Sequence, residues 1–199
     1  MSNEDFTTLD LLRHGQLETP GIFCADAKAP LSKLGMENLA KTTKQDSWDI
    51  IVSSPQTRCV EFAKKLSTDK QCELLIDEQV KELNFGDWVG VKSETLWQEN
   101  SEKYQQLWQT PDDFIAPNGE SMQAFYKRVS KGVDEILNTY QNQSILLITH
   151  AGVIRTIMAN ALKINTLSVQ KFNIGYAQMS RLHCYPDGHF SLDYLGKKG

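Results

Sequence analysis

Three short apolar runs, each of a length typical of a buried strand, constrain the fold of this chain more than any other feature. They are Thr7–Leu12, Asp49–Ser53 and Ser144–Thr149. Amphipathic segments of helical period lie between them, and the clearest runs from about residue 121 to 141 with apolar residues at i+3 and i+4 spacing. Apolar strands that alternate with helices are typical of a mostly parallel sheet covered on both faces. The sequence therefore predicts a three-layer α/β/α sandwich.

Local signals predict the remaining regular elements. Ser32 is a candidate N-cap for a first helix that runs toward Gln45, and Ser54-Pro55 is a candidate start for a second helix. Residues 72–76 form a short third strand, and Pro186–Gly188 is a turn signal between two alternating runs, which predicts a final hairpin. At 199 residues, we expect a single domain that spans residues 1–199.

The segment from about residue 85 to 117 does not fit the regular alternation of strands and helices. It holds three of the four tryptophans, Trp88, Trp97 and Trp108, together with Tyr104. Residues 93–109 are consistent with one polar helix that carries an apolar and aromatic stripe. Such a lid-like insertion either contributes to the core or covers a pocket, and the pattern leaves both readings open.

Composition excludes several classes of function. A net charge of −4 provides no basic excess for nonspecific nucleic-acid binding. No apolar run approaches the roughly 18 residues that a membrane span needs. The first ten residues lack the apolar region of a signal peptide, so we expect a cytoplasmic protein. The four cysteines show no C-x-x-C spacing, which favours free thiols over structural zinc or disulfides.

Chemically active side chains follow the predicted strands at their carboxyl ends. Arg13 and His14 end the first strand, His150 follows the last, and the second leads into a helix that carries Arg58. Ligands of open α/β sheets bind at this edge. Guanidinium and imidazole groups suit an anionic phosphate ester and a nitrogen nucleophile.

Six ordered motifs carry a resemblance to a known family. They are Leu12–Gln16, Pro30–Gly35, Ser53–Arg58, Lys81–Trp88, Asn118–Ser121 and Thr149–Arg155. Their order and content resemble the histidine phosphatase superfamily, branch 1, whose members share a phosphoglycerate-mutase-like fold. The motifs cover residues 9 to about 160, which is most of the chain. A lone Arg-His-Gly triplet would be weak support, whereas six motifs in the family's order are specific.

The resemblance implies roles for several of the motif residues. His14 would attack phosphorus and form a phosphohistidine, while Arg13 and Arg58 would hold the phosphoryl oxygens. Gly15 would let the backbone approach the ligand, and His150 would donate a further hydrogen bond.

Glu82 would protonate the leaving group, although a short shift of the loop would put Asp87 in that place. This chemistry needs no metal and no cofactor.

The resemblance also bears on the substrate. The stretch between Glu82 and Gly119 is short and residues 16–21 lack the polar pattern of the mutases, which favours a hydrolase of a small-molecule phosphate ester. Gln16 replaces a common Glu, and Trp97 and Trp108 are candidate contacts for the organic part of the substrate.

Within the family the likeness is to bacterial α-ribazole-5'-phosphate phosphatases of cobalamin nucleotide-loop assembly. The alternatives are a broad sugar or nucleotide phosphatase, a fructose-bisphosphatase-like enzyme, a phosphoglycerate mutase and a phosphohistidine-protein phosphatase. A noncatalytic phosphate-binding regulator is a further alternative, although such a member would be expected to lack His14 or Glu82. The oligomeric state is left open.

Overall fold

A computed structural model describes residues 6–19, 22–23 and 26–199 of the chain. Within these residues the strands are β1 Thr7–Arg13, β2 Ile50–Ser53, β3 Glu73–Ile76, β4 Ser144–Thr149, β5 Met179–Cys184 and β6 Phe190–Lys197. The α-helices are α1 Lys33–Thr42, α2 Thr57–Lys70, α3 Ser93–Glu99, α4 Ser101–Gln109, α5 Met122–Thr139, α6 Ala151–Leu162 and α7 Thr166–Val169. Three single-turn 3₁₀ helices lie at Glu78–Val80, Gly86–Trp88 and Pro111–Asp113.

The six strands form one sheet in the order β3-β2-β4-β1-β5-β6. The pairings of β2 with β3, β2 with β4 and β1 with β4 are parallel, whereas β5 pairs antiparallel with both β1 and β6. The sheet is therefore mostly parallel, and the predicted hairpin β5–β6 forms its antiparallel edge. In the register of the parallel strands, Arg13 lies opposite Thr149 and Ser53 lies opposite Ile148.

Both faces of the sheet are covered, which confirms the three-layer fold. Successive residues of a strand point to opposite faces. In β4, accordingly, Ile145 and Leu147 belong to one hydrophobic cluster and Leu146 and Ile148 to the other. The first cluster packs against α5 and α6, and the second against α1 and α2. No helix within the described residues is long and apolar enough to cross a membrane.

The loop after β1 is clamped against the start of α1. Ser32 caps α1 as predicted, because its side chain accepts a hydrogen bond from Gly35 N at 3.0 Å and donates one to Gln16 O at 3.1 Å. A Cβ on Gly15 would overlap the Gly35 carbonyl, and a Cβ on Gly35 would overlap the Gln16 backbone. Two glycines are therefore needed where this loop crosses the helix start.

Two predictions about helix boundaries were wrong. Helix α2 begins at Thr57 with Gln56 as its N-cap and no side-chain cap, rather than at Ser54-Pro55. The predicted helix over residues 93–109 is two helices, since Asn100 has φ −135° and ψ 37°, outside the helical region.

The insertion of residues 85–117 contributes to the core and also reaches a cavity. Leu96 and Leu107 are buried in the first hydrophobic cluster with Trp88. Trp97 and Trp108, by contrast, are exposed by 54% and 39%.

Of the cysteines, Cys59, Cys72 and Cys184 are free thiols, and Cys24 lies outside the described residues.

Candidate active site

Three neighbouring strand ends build the candidate site. His14 follows β1 and donates its backbone N–H to Thr149 O at 2.9 Å, and Ser54 follows β2 and donates its N–H to Ile148 O at 3.0 Å. His150 follows β4, the strand between those two. The ladder hydrogen bonds therefore continue one residue beyond β1 and β2, and His14, His150 and Ser54 follow neighbouring strands at the carboxyl edge of the sheet.

The His14 ring is oriented by its own neighbour. Its Nδ1 lies 2.9 Å from the Gly15 carbonyl oxygen. A carbonyl oxygen can only accept a hydrogen bond, so Nδ1 carries the proton and Nε2 has a free lone pair. Burial lowers the pKa of His14 well below its usual 6.5, and the nearby guanidiniums of Arg58 and Arg13 lower it further. The ring is therefore a neutral imidazole at pH 7, which is the form that a nucleophile requires.

Arg13 is fixed between a carbonyl and an aromatic ring. Its Nη1 donates to Ile174 O at 2.6 Å, and its guanidinium carbon lies 4.0 Å from the centroid of the Tyr176 ring. Its buried Nε has no hydrogen-bond partner within the described part of the chain. A buried donor without a partner is unusual in a folded protein. This N–H is therefore available to an anionic ligand.

Gln56 connects Arg58 to Glu82. The Gln56 Oε1 accepts hydrogen bonds from Arg58 Nη2 at 3.0 Å and from the Glu82 backbone N–H at 3.3 Å. Arg58 Nη1 also donates to Asp26 O at 3.1 Å. This amide, contributed by the Ser53–Arg58 motif, therefore holds the start of the Glu82 loop beside the guanidinium.

The Glu82 loop is supported from behind by an ion pair. Glu120 and Arg128 are paired at 2.8 Å, with side-chain exposures of 17% and 19%. Arg128 also donates to the backbone carbonyls of Gln79 and Lys81 at 2.7 and 3.0 Å. The Asn118–Ser121 motif thus contributes to the site by fixing the loop that carries Glu82.

The Glu82 carboxyl group accepts hydrogen bonds from two backbone N–H groups. These donors are Leu83 N at 3.1 Å and Gly152 N at 3.3 Å. Asp87, the alternative leaving-group acid, is exposed and accepts a hydrogen bond from Asn118 Nδ2 at 2.8 Å. Glu82 lines the cavity described below, whereas Asp87 does not.

His150 is fully buried behind this surface. Its ring centroid lies 5.3 Å from that of His14, and its Nε2 lies 2.8 Å from Ser54 Oγ. Its Nδ1 has no partner among the described residues. Burial lowers the pKa of His150 well below 6.5, with Arg58, His14 and Arg13 as further causes. A second neutral imidazole with a free nitrogen therefore lies next to His14.

One cavity of about 340 Å³ lies at this edge of the sheet, and His150, which is fully buried, is not among the residues that line it. Arg13, His14, Arg58 and Glu82 line one part of it. The other part is lined by aromatic, apolar and polar side chains; among them are Phe23, Phe85, Trp108, Tyr126, Arg155, Asn160, Gln170 and Tyr176. Of the three predicted substrate-side residues, Trp108 lines the cavity, whereas Trp97 and Gln16 do not.

Helix α6 forms one wall of the cavity along its length. Besides Ala151 at its start, its lining residues are Gly152, Arg155, Thr156, Ala159 and Asn160. From Gly152 to Asn160 this is the i, i+3, i+4 spacing of a single helix face, and it spans about 12 Å at 1.5 Å per residue. The cavity is therefore elongated, and the candidate phosphate-binding residues Arg13, His14 and Arg58 lie near the N-terminus of α6.

Some lining residues were not anticipated from the sequence. Arg155 belongs to the last of the six motifs, but no role was predicted for it from the sequence. Tyr176 and Phe23 carried no signal, because they lie in irregular segments that only the folded chain brings to the site. In the described ranges no group of three or more His, Cys, Asp and Glu side chains is arranged to hold a metal ion.

Comparison with known proteins decides the family. Residues 9–196 match the histidine phosphatase superfamily (branch 1). The chain belongs to this superfamily.

Among relatives of this histidine phosphatase, an adenosylcobalamin/alpha-ribazole phosphatase of Escherichia coli is 28% identical over 82% of the chain and 83% of the relative. A putative phosphoserine phosphatase of Hydrogenobacter thermophilus is also 28% identical, over 95% of each chain. A solved structure of a putative alpha-ribazole-5'-P phosphatase from Escherichia coli superposes with a TM-score of 0.84 at 26% identity, over 96% of each chain. The phosphoglycerate-mutase-like fold and the phosphatase class are thereby shown.

Proposed function

We propose that this phosphatase hydrolyses a small-molecule phosphomonoester through a phosphohistidine on His14. The observation that carries the proposal is the state of the His14 ring. It is neutral, its Nδ1 proton is directed to Gly15 O, and its free Nε2 lone pair lies in a cavity with two guanidiniums. That is the arrangement needed to attack an anionic phosphoryl group.

In the first step Nε2 of His14 forms a bond to phosphorus while the ester P–O bond breaks. Glu82 transfers its proton to the departing oxygen, so the leaving group departs as an alcohol. In the second step a water oxygen attacks phosphorus and the P–N bond breaks. Glu82 takes the proton from that water, which returns the enzyme to its starting state and releases inorganic phosphate.

The unsatisfied buried groups support this placement of the phosphoryl group. Arg13 Nε and His150 Nδ1 each lack a partner in the described structure, and both belong to residues adjacent to His14. Charge-assisted hydrogen bonds from Arg13 and Arg58 would balance the charge that develops on the phosphoryl oxygens.

For the substrate we propose α-ribazole-5'-phosphate. Beyond Arg13, His14 and Arg58 the cavity extends along α6, and Phe23, Phe85 and Trp108 line it. Such walls suit a flat benzimidazole ring. The similarity to proteins named as α-ribazole phosphatases favours the same choice.

One observation favours a second candidate, a phosphoserine-like substrate. Arg155 lines the cavity, and within the described residues its Nε and Nη2 donate to the Phe172 carbonyl oxygen rather than to a carboxylate. A guanidinium in this position could bind a substrate carboxylate. The relative named as a putative phosphoserine phosphatase is consistent with this reading.

The catalytic proposal is tested with His14→Ala. Rapid quench of the wild type with a phosphate ester should yield protein-bound phosphate that is labile to acid and stable to base. The variant should form none and should show no turnover. Full activity in the variant would remove His14 from the nucleophile's role.

The substrate is tested by comparing kcat/KM for α-ribazole-5'-phosphate, phosphoserine and simple sugar phosphates. We expect α-ribazole-5'-phosphate to be preferred. A preference for phosphoserine that disappears in Arg155→Met would select the second candidate. Equal efficiency on all three would indicate a broad phosphatase.

A further inference from the structure

Ser54 and His150 form a buried pair at the base of the site. Both residues are 0% exposed, and Ser54 Oγ lies 2.8 Å from His150 Nε2. The other ring nitrogen, Nδ1, is buried and has no partner among the described residues. The two nitrogens of this ring are therefore in different situations: Nε2 lies beside a hydroxyl, whereas Nδ1 has no hydrogen-bond partner in the described structure.

The charge state of the ring limits what each nitrogen can do. Burial and the nearby arginines keep the pKa of His150 well below 6.5, so the ring is neutral and carries a single N–H at pH 7. With the proton on Nε2, Nδ1 would present a lone pair, which repels a phosphoryl oxygen. With the proton on Nδ1, the ring could donate to that oxygen, and Nε2 would need a donor.

Ser54 is placed to be that donor. Its backbone N–H is bound to Ile148 O at 3.0 Å, which fixes the residue at the end of β2. Its Oγ accepts a long hydrogen bond from Gln56 N at 3.4 Å, so its own proton remains free to be donated.

A second neighbour does not replace Ser54. Cys59 Sγ lies 3.7 Å from His150 Nε2 and equally 3.7 Å from Thr149 O. Burial raises the pKa of Cys59 to about 12, so it remains a thiol. A thiol is a weak donor, and the thiol proton of Cys59 already has the Thr149 carbonyl oxygen as an acceptor.

We propose that Ser54 is a positioning residue whose hydroxyl donates to His150 Nε2 and thereby keeps the ring proton on Nδ1, directed to a phosphoryl oxygen of the substrate. The inference rests on the proposed function, because it takes the phosphoryl group to lie beside His14 and His150. It assigns to the second serine of the Ser53–Arg58 motif a role that its position before a helix does not suggest.

The direct test is the tautomer of His150 in the protein itself. Long-range ¹H–¹⁵N correlation spectra of ¹⁵N-histidine-labelled protein, recorded with inorganic phosphate present, distinguish Nδ1–H from Nε2–H rings. The chain has only four histidines, so the His150 signals can be assigned by their loss in His150→Gln. We expect Nδ1–H in the wild type, and an Nε2–H ring there would overturn the proposal without any variant.

Ser54→Ala provides the functional test, with Ser53→Ala as its matched control. Ser53 is also 0% exposed, but its hydroxyl donates to Ser54 O at 2.9 Å and, in the described part of the chain, forms no hydrogen bond with His150. Loss of the Ser54 hydroxyl should lower kcat/KM about 10- to 100-fold and give a signal from the Nε2–H tautomer. Ser53→Ala should keep the wild-type tautomer and most of the activity at a similar unfolding midpoint.

The outcomes separate this inference from the catalytic proposal. Equal losses in the two serine variants, with the Nδ1–H tautomer retained in both, would make Ser54 a purely structural residue. That result would leave phosphohistidine formation on His14 unaffected. Conversely, an active His14→Ala variant would remove the proposed function, whichever tautomer is seen.

Discussion

Gly152→Ala should damage catalysis by moving a single carboxylate. Gly152 is the second residue of α6, and its backbone N–H donates to Glu82 Oε2 at 3.3 Å. A Cβ added here would overlap Glu82 Oε1 and would lie 3.2 Å from Glu82 Cδ. The atoms in the way are the end of a flexible side chain rather than backbone, so the side chain can yield while the helix stays in place.

The size of the effect follows from the required displacement. Restoring ordinary contact with the new methyl group moves the carboxylate by about 1 Å. A misplacement of this size can cost a catalytic group on the order of 100-fold in rate. Alanine is favoured over glycine in helices by up to about 1 kcal/mol, which offsets the cost of the rearrangement. We therefore expect a folded protein of near-wild-type stability with a large loss of kcat.

The assay compares leaving groups in a double-mutant cycle. Gly152→Ala should reduce kcat on an alkyl phosphate far more than on p-nitrophenyl phosphate, whose leaving group needs little protonation. Glu82→Gln should show the same selectivity, and adding Gly152→Ala to it should change little, because the two changes act through one carboxylate. Equal losses on both esters, or fully additive losses in the double variant, would refute this reasoning.

Three further predictions concern pH, metal and substrate. His14 and His150 have folded-state pKa values below 6.5. When the pH falls through 6.5, these histidines therefore bind protons in the unfolded chain before they do so in the folded protein. The free energy of unfolding should then fall by up to about 1.4 kcal/mol per pH unit for each histidine. Urea unfolding measured between pH 7.5 and 5 tests this. If the free energy of unfolding of His14→Gln changed with pH as steeply as that of the wild type, the prediction would be contradicted. Activity should survive EDTA, since guanidiniums already supply positive charge to the phosphate; a loss that a divalent ion restores would disprove this. Trp108→Ala should lower kcat/KM several-fold for α-ribazole-5'-phosphate but not for sugar phosphates; Trp97→Ala is the control, and equal effects of the two variants would count against stacking on Trp108.

Local sequence patterns correctly predicted those elements whose structure depends on neighbouring residues alone. The three apolar runs form strands because short apolar segments buried on both sides suit the interior of a parallel sheet. Ser32 caps α1 because a serine hydroxyl satisfies a free N–H of the first turn. Ser54-Pro55 resembled a helix start just as strongly. The Ser54 hydroxyl instead lies beside His150, a residue almost a hundred positions away in the chain. Local propensities cannot predict a contact between residues so far apart.

By itself, the sequence determined the layered fold, the family and the four side chains Arg13, His14, Arg58 and Glu82 that the structure brings into one cavity. Only the tertiary structure decided how the cavity extends along α6, that Trp108 and not Trp97 lines it, and which nitrogen of each imidazole is free. The physical reason is one of range. Strand ends are fixed by the hydrophobic pattern of each segment, whereas rotamers, tautomers and cavity walls depend on contacts between residues far apart in the chain.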